Sequence, residues 1–272
     1  MPRRSSRALL LALALVAPGC VGLSPREEVQ LGSELHWQLQ RQQALLPDEV
    51  VGAYVDGIGR RVLGAARPEA FRYRFFVVDS DDVNAFAGPG GFVYVNTGTV
   101  LRARNAAELA GVIAHEIGHV ERRHVSENVA RRRVAGLAQQ VGVVAASVAA
   151  GPAAASAASL LGGAASLATL NSFGREAERE ADEFAVEILP RAGYDPAGLV
   201  TFFETLEREG GASPPAFLSS HPAPEDRVAE TRRLVEALSA REDLQRDDGG
   251  RLEIIQARIR ILTGAADAAG GP

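Results

Sequence analysis

The pattern of apolar and polar positions predicts two helices and two strands in the first hundred residues. Residues 26–43 are polar with apolar side chains interspersed, and residues 48–63 form a second helical pattern with Asp48 at its N-cap. Residues 71–78 and 92–95 are rich in aromatic and β-branched side chains, which is typical of strands.

From Asn105 the pattern changes to the helical period. Asn105 stands where an N-cap is expected, and Glu108 three residues later gives the start the form of a capping box. Apolar residues then recur at helical spacing, namely Leu109, Val112, Ile113, Ile117 and Val120. Further helices are predicted at residues 122–133, 175–189, 196–209 and 223–240 and, after a polar break, near the C-terminus. We therefore expect an α+β fold that is mostly helical, with a small sheet edging the active-site cleft.

The segment His115-Glu116-Ile117-Gly118-His119 lies inside the helix predicted from Asn105. Residues four apart share one face of a helix, so both imidazoles can reach the same metal ion. Zinc bound there lowers the pKa of a water in its open position toward about 7. Glu116, about 100° round the helix from His115, can take the proton of that water. The motif predicts a hydrolytic enzyme with one Zn²⁺ per chain.

A catalytic zinc normally takes three protein ligands, so the two histidines need a third. Arg122 and Val125 stand where a metzincin carries the glycine and the histidine that continue its motif, which excludes that class. His124 follows His119 by five residues and points to a different helix face, so we interpret it as a structural or surface residue.

The acidic helix at residues 175–189 is the expected source of the third ligand. Its apolar stripe consists of Ala177, Ala181, Phe184, Ala185 and Ile188. Glu178 falls about 20° outside that stripe and Glu180 about 40° outside its other edge, so the helical phase favours Glu178 only modestly. Asp182, one turn after Glu178, could hold a ligand histidine through its second ring nitrogen.

The composition narrows the classes of function. The chain has 272 residues, of which 46% are hydrophobic and 23% charged, as expected for one well-packed domain. Its formal net charge is −5, and loss of the three positive charges of Arg3, Arg4 and Arg7 with a signal peptide would leave −8. An acidic chain of this kind gives no support for nucleic-acid binding.

The N-terminus has the features of a bacterial signal peptide. Basic residues precede an apolar run at residues 8–17, which is too short to span a bilayer as a mature helix. Gly19 and Cys20 then resemble a lipobox, at which a lipoprotein is cleaved and lipidated; plain secretion is the alternative. We expect removal of residues 1–19, a lipid on Cys20, and a single domain over residues 20–272.

Residues 141–170 contain no charged side chain and are dominated by alanine, glycine, valine and serine. The run is long enough to span a bilayer, but Pro152 interrupts it and few leucine, isoleucine or phenylalanine side chains would drive insertion. We interpret residues 134–172, approximately, as an apolar insertion within the domain that forms a helical hairpin or a flexible cover over the active site. The domain is expected to end in a short helical tail.

A series of motifs resembles one known family. The series is Asn84-Ala85-Phe86-Ala87, Pro89-Gly90-Gly91, the histidine segment at residues 107–120, Arg175-x-x-Glu178-x-x-Ala181-Asp182, and His221-Pro222 with Arg227 six residues after the histidine. It is similar to the HtpX and CAAX-prenyl-protease type of metallopeptidase, the forty-eighth metallopeptidase family, and within it to the periplasmic lipoprotein branch of BepA-like and LoiP-like proteins. The resemblance covers about residues 26–236 and implies a zincin fold of the gluzincin type.

The resemblance implies a role for each matching residue. His115, His119 and Glu178 match the zinc ligands, Glu116 matches the catalytic base, and Asp182 matches the acid that supports a ligand histidine.

Two further parts of the site are implied in the same way. His221 matches a histidine that stabilises the transition state or, in the BepA-like branch, occludes the zinc until substrate arrives, and Arg227 matches its companion arginine. Asn84, Ala85, Phe86 and Ala87 match a strand edge beside the cleft, where a peptide could add as an extra strand.

These inferences together predict an exported zinc endopeptidase that cleaves unfolded or misassembled proteins of the cell envelope. Val21 stands where an aspartate would resemble an inner-membrane retention signal, which favours anchoring to the outer membrane, facing the periplasm. The alternative is an assembly factor or chaperone for outer-membrane proteins with a gated, rarely used site. A membrane-embedded prenyl-protein protease is disfavoured because it needs several convincing spans. The sequence predicts no oligomeric state.

Overall fold

The computed structural model describes residues 22–42, 44–132, 173–210, 216–221, 226–239, 241 and 243–264. The expected signal peptide, Cys20 and the insertion at about 134–172 lie outside the described residues. No helix within the described ranges is long and apolar enough to cross a membrane.

The described residues form helices around a small sheet, which confirms the α+β class. The helices are α1 (Pro25–Arg41), α2 (Glu49–Ala66), α3 (Thr97–Arg102), α4 (Ala106–Glu121), α5 (Arg175–Arg191), α6 (Ala197–Gly210), α7 (Ala216–Ser220), α8 (Arg227–Glu236) and α9 (Arg251–Thr263). The strands are β1 (Arg74–Val78), β2 (Ala85–Gly88) and β3 (Phe92–Asn96). Residues 124–132 are also helical.

Polar side chains cap the first long helices by accepting hydrogen bonds from backbone N–H groups that have no partner within the helix. Ser24 and Glu27 form a capping box at α1. Asp48 accepts from the N–H of Val51 at 2.9 Å, as its predicted N-cap role requires. At α4, Asn105 accepts from the N–H of Glu108 at 3.0 Å.

The three strands lie in the order β1-β3-β2, with β1 parallel and β2 antiparallel to β3. Side chains alternate between the two faces of a sheet, so the two faces of this sheet pack into different hydrophobic clusters. Phe86, Phe92 and Tyr94 pack with Leu39 of α1, whereas the opposite face joins the main core. The order makes β2 an edge strand of this sheet, and both β2 and β3 contact α4.

Helix α4 is the centre of the core, because each of its residues from 106 to 120 is buried. Glycines allow two other helices to approach its backbone closely. A Cβ on Gly111 would lie 3.0 Å from the Cα of Leu199 in α6, and a Cβ on Gly118 would lie 3.1 Å from the Cα of Ala181 in α5. The predicted histidine helix is thus held against the acidic helix.

Some element boundaries differ from the prediction. Helix α5 continues through Pro190 to Arg191, because a proline in the last turn removes only one N–H donor from the helix. Helix α8 ends at Glu236 rather than at 240. Helices α3 and α7 were not predicted, since six and five residues are too few to display a helical period.

Replacing Gly118 with alanine should destabilise the protein, because the new Cβ would meet the backbone of α5 at Ala181 and the ring of Phe184 at 3.1–3.2 Å. We expect a loss of about 1–3 kcal/mol in the free energy of unfolding, measured by urea denaturation. The control is Gly57→Ala in α2, where a Cβ meets nothing within 4 Å. That variant should gain about 0.5–1 kcal/mol, and equal effects of the two changes would contradict the packing argument.

Candidate metal centre

Three helices bring four side chains with metal-binding atoms to one point. His115 and His119 lie one turn apart on α4, Glu178 lies on α5, and His221 follows the end of α7. Their ligand atoms all lie within 4.8 Å of one another, and all four residues are buried.

The distances within this cluster are those of donor atoms that face a common centre. The Nε2 atoms of His115 and His119 are 3.1 Å apart. The carboxylate of Glu178 spans them, with Oε2 3.4 Å from His115 Nε2 and Oε1 3.4 Å from His119 Nε2. The Nδ1 atom of His221 is 3.1 Å from Glu178 Oε1 and 3.3 Å from His115 Nε2. Three nitrogens and a carboxylate suit tetrahedral Zn²⁺. Of the two carboxylates that the helical phase left open, Glu178 enters the cluster and Glu180 does not.

Asp182 and Arg227 contact the residues of the cluster and fix their positions. Asp182 Oδ1 lies 2.8 Å from His115 Nδ1, which leaves His115 Nε2 facing the other donors. The guanidinium of Arg227 donates to both oxygens of Asp182 at 2.7 and 2.8 Å. Its Nη1 lies 2.9 Å from Glu178 Oε2 and donates to the carbonyl of His221 at 3.2 Å. Arg227 therefore contacts the metal-binding carboxylate of Glu178, the carboxylate of Asp182 and the backbone of His221.

These contacts shift the pKa values of the buried groups. Burial lowers the pKa of His115, but hydrogen bonds to Asp182 and Glu178 outweigh it and raise the value to about 9. Burial raises the pKa of Asp182, yet Arg227 lowers it to about 2. The pKa of Glu178 is held well below its usual value against the effect of burial, chiefly by His221 and His115, and burial places the pKa of His119 well below its usual value. Ionised carboxylates and a neutral His119 are the forms that bind a metal.

Glu116 lies beside the cluster and is fully buried. Its carboxylate accepts a backbone hydrogen bond from Ala87. Its Oε1 is 3.4 Å from His221 Nε2, an atom that lacks a hydrogen bond within the described part of the chain. Burial raises the pKa of Glu116 despite these contacts. A buried carboxylate with so few polar contacts is costly for stability, so its position requires a functional explanation.

Sequence reasoning missed two residues that contact His119. His124 lies outside the cluster of four donors, in agreement with the structural interpretation, and is buried, with its Nδ1 3.1 Å from His119 Nδ1 and its Nε2 3.0 Å from Glu180 Oε2. The helical phase did not predict its contact with His119, because α4 ends at Glu121 and Arg123 has a positive φ of 65°. The ring of Phe173 stacks on His119 with 3.9 Å between ring centroids. Nothing in the spacing of the sequence indicates that contact.

The predicted substrate segment lies at the sheet edge. Ala85, Phe86 and Ala87 belong to β2, and Asn84 directly precedes it. The carbonyl of Asn84 accepts from Thr99 Oγ1 at 2.6 Å, and its side-chain oxygen accepts from Ser220 Oγ at 3.2 Å. Asn84 thereby connects the start of β2 to α7.

Comparison with protein families gives one match that contains the whole cluster. The model of a family described as peptidase family M48 matches residues 51–235. This range includes all four residues of the candidate metal centre as well as Glu116, Asp182 and Arg227.

Individual relatives carry protease names. The beta-barrel assembly-enhancing protease of Escherichia coli is 32% identical over 214 residues, which are 77% of this chain and 44% of that protein. A Vibrio cholerae relative whose name also refers to that protease is 35% identical over 76% of this chain and 43% of its own length. The metalloprotease LoiP of Escherichia coli is 33% identical over 57% of this chain and 60% of its own length. The matched part of the chain thus spans less than half the length of the first two relatives.

Zinc binding should tighten as pH rises. Because the pKa of His115 is raised to about 9, we expect it to carry a proton at neutral pH in the metal-free protein, and a metal at its Nε2 must displace that proton. Because Glu178 and His119 are already in their metal-binding forms, one proton should be released, so the affinity should rise about tenfold per pH unit between about pH 6 and pH 8. Competition with a chelator of known affinity at each pH measures the slope. An affinity that does not change over this range would show that His115 is already neutral.

Proposed function

The chain belongs to peptidase family M48, and from this premise we propose that it is a zinc-dependent endopeptidase of the bacterial cell envelope. The observation that carries the proposal is the convergence of His115, His119 and Glu178 within a buried cluster, with the buried carboxylate of Glu116 beside it. The family membership confirms the resemblance predicted from the sequence motifs.

The donor set fits zinc in number and in chemistry. His115 and His119 would bind through Nε2 and Glu178 through its carboxylate, while Asp182 would fix the ring of His115. A zinc ion held there would polarise the carbonyl of a peptide bond and make a water molecule more acidic.

Glu116 would act as the general base. Burial raises its affinity for a proton, so its carboxylate can take a proton from the attacking water. The same oxygen would then return the proton to the leaving amine.

His221 would act as a gate. As a fourth donor it closes the cluster, whereas catalytic zinc sites keep one position open for water and substrate. His221 also lies between Glu178 and Glu116, at 3.1 and 3.4 Å from their oxygens. Movement of this ring away from the cluster would open the position beside Glu116. Arg227, which donates to the carbonyl of His221, would hold the closed arrangement.

Polypeptide substrates would bind along the edge of the sheet. Strand β2 is paired with β3 on one side only within the described sheet, so an extended peptide could add beside Ala85, Phe86 and Ala87. Asn84 would support this edge through its bonds to Thr99 and Ser220. Recognition through the backbone suits unfolded chains because it depends little on side-chain identity.

The proposed location follows from the N-terminus and from the names of the relatives. Residues 1–19 would direct export, and a lipid on Cys20 would anchor the protein to the outer membrane, facing the periplasm. Two relatives have names that refer to β-barrel assembly. We therefore expect misassembled envelope proteins, outer-membrane β-barrel proteins among them, as substrates.

A second candidate function is an assembly factor that binds outer-membrane proteins and rarely cleaves them. Two observations favour it, namely the closed four-donor cluster and the assembly-enhancing names of the relatives. The two functions differ in whether Glu116 is needed.

Replacing Glu116 with glutamine should abolish cleavage and leave zinc in place. The amide cannot accept the proton from water, so casein cleavage should fall by about 10²–10⁴-fold while zinc content stays at one per chain. The control is Glu187→Gln, an exposed carboxylate on α5 that should behave as wild type. Full activity of the glutamine variant would exclude Glu116 as the base, and absence of zinc from the wild type would overturn the metal centre.

The same variant separates the two candidate functions in cells. If Glu116→Gln restores the phenotype of a deletion strain as well as the wild type does, the assembly function predominates. Failure to restore it would make peptide cleavage the main function.

Replacing His221 with alanine should keep zinc in the protein and raise the rate of casein cleavage several-fold, because it removes the donor that closes the site. Zinc content and initial rates are measured beside Ser219→Ala, an exposed neighbour on α7. A fall in rate with zinc retained would instead assign His221 to transition-state stabilisation.

A further inference from the structure

We propose that His124 and Glu180 orient the metal ligand His119 and fix which of its ring nitrogens faces the metal. The inference rests on the proposed zinc centre and adds two positioning residues to it. Neither residue belongs to the cluster of four donors.

The contacts form a continuous line away from the cluster. His119 Nε2 points to the other donors, at 3.1 Å from His115 Nε2. His119 Nδ1, on the opposite side of the ring, lies 3.1 Å from His124 Nδ1. His124 Nε2 then lies 3.0 Å from Glu180 Oε2. His119 Nδ1 and both ring nitrogens of His124 therefore have one partner each along this line.

Hydrogen bonding allows a single arrangement of hydrogens that suits a metal. The carboxylate of Glu180 can only accept, so His124 Nε2 carries the hydrogen and His124 Nδ1 has a free lone pair. That lone pair accepts from His119 Nδ1–H, which leaves His119 Nε2 as the atom with a lone pair for the metal. Glu180 therefore acts on the metal-binding ring of His119 through the ring of His124.

The position of His124 is built into the fold. Helix α4 ends at Glu121, and the chain turns at Arg123, whose φ of 65° lies in the left-handed region. The guanidinium of Arg123 contacts the buried carboxylate of Glu28 at 2.5 Å and donates to the carbonyl of Leu23 at 2.9 Å. These contacts fix the turn to the start of α1. The next residue, His124, is then held with only 6% of its side chain exposed.

The two histidines of the motif are thus oriented differently. His115 contacts the carboxylate of Asp182 directly at 2.8 Å, whereas His119 reaches Glu180 through His124. Both carboxylates lie on α5, the helix that also supplies Glu178. One helix therefore contributes a ligand and the final acceptor for each of the other two.

The size of each effect follows from exposure. The side chain of Glu180 is 37% exposed, so water can replace it as the acceptor for His124. His124 is buried, and no water is expected to replace it at His119 Nδ1. Removing His124 should therefore cost more zinc affinity than removing Glu180.

The test compares zinc affinities, by chelator competition, of the full chain and three variants. His124→Phe keeps an aromatic ring but removes the acceptor, and should weaken zinc binding by about 10–100-fold. His124→Asn places Oδ1 where Nδ1 stood, so it should restore the affinity to within about 10-fold of the wild type. Glu180→Ala should weaken zinc binding measurably, but by less than about 10-fold. Glu187→Ala, on the exposed face of α5, should match the wild type.

A second readout separates orientation from packing. In nitrogen-15 NMR spectra of the zinc-loaded protein, the Nδ1–H of His119 should be protected from exchange in the wild type and in His124→Asn, and lose protection in His124→Phe. An affinity of His124→Phe equal to that of the wild type would overturn the proposal. So would a loss in His124→Asn as large as in His124→Phe. If His124→Phe does not fold, equal affinities of Glu180→Ala and Glu187→Ala overturn it. Failure of the wild type to bind zinc would instead overturn the proposed function.

Discussion

Burial of charge at one point constrains the whole arrangement of helices. Seven ionisable residues, each at most 3% exposed, meet between α4, α5, α7 and α8. They are His115, Glu116, His119, Glu178, Asp182, His221 and Arg227. Taking one such group out of water costs several kcal/mol unless an opposite charge or a hydrogen bond compensates it. The guanidinium of Arg227 is the main opposite charge for Asp182 and also contacts Glu178, which His221 and His115 stabilise in its ionised form. Losing Arg227 would leave Asp182 without that charge, at a cost of about 3–5 kcal/mol. The docking of α8 is therefore part of the site.

The apolar packing around this point increases the strength of these contacts. Helix α4 is buried from residue 106 to 120. At its two glycines, 111 and 118, the backbones of α6 and α5 come within about 3 Å of the position that a Cβ would take. Close approach excludes water, and in a medium of low dielectric constant each ion pair and hydrogen bond is stronger than at a surface. The same exclusion of water raises the proton affinity of the fully buried Glu116. Packing and acid–base chemistry thus depend on the same small residues.

The parts of this site that depend on local periodicity could be predicted from the sequence. The spacing of His115 and His119, the start of α4 at Asn105 and the acidic character of α5 are local properties. The choice between Glu178 and Glu180 was not local, because both lie near the apolar stripe and the structure uses both for different contacts. The contact of His124 with His119 was not predicted, because a helix end followed by a left-handed Arg123 cannot be inferred from an apolar period. The pairing of Arg227 with Asp182 joins residues 45 positions apart and was not predicted either, since the resemblance to known proteins gave Arg227 only as the companion of His221.

The short helix α7 connects the proposed substrate edge with the proposed gate. The N–H of Phe217 donates to the carbonyl of Val83 at 2.9 Å, and Ser220 donates to Asn84, so α7 is attached to the residues just before β2. His221 follows at its end, with its N–H bonded to the carbonyl of Phe217 at 2.7 Å and its ring stacked on that of Phe217. A peptide that pairs with β2 would therefore act on the same element that holds His221 in the cluster. Since few residues of α7 need to move, binding at the edge and opening of the fourth position can be one event, and an isolated small molecule that contacts only the cluster would not cause it.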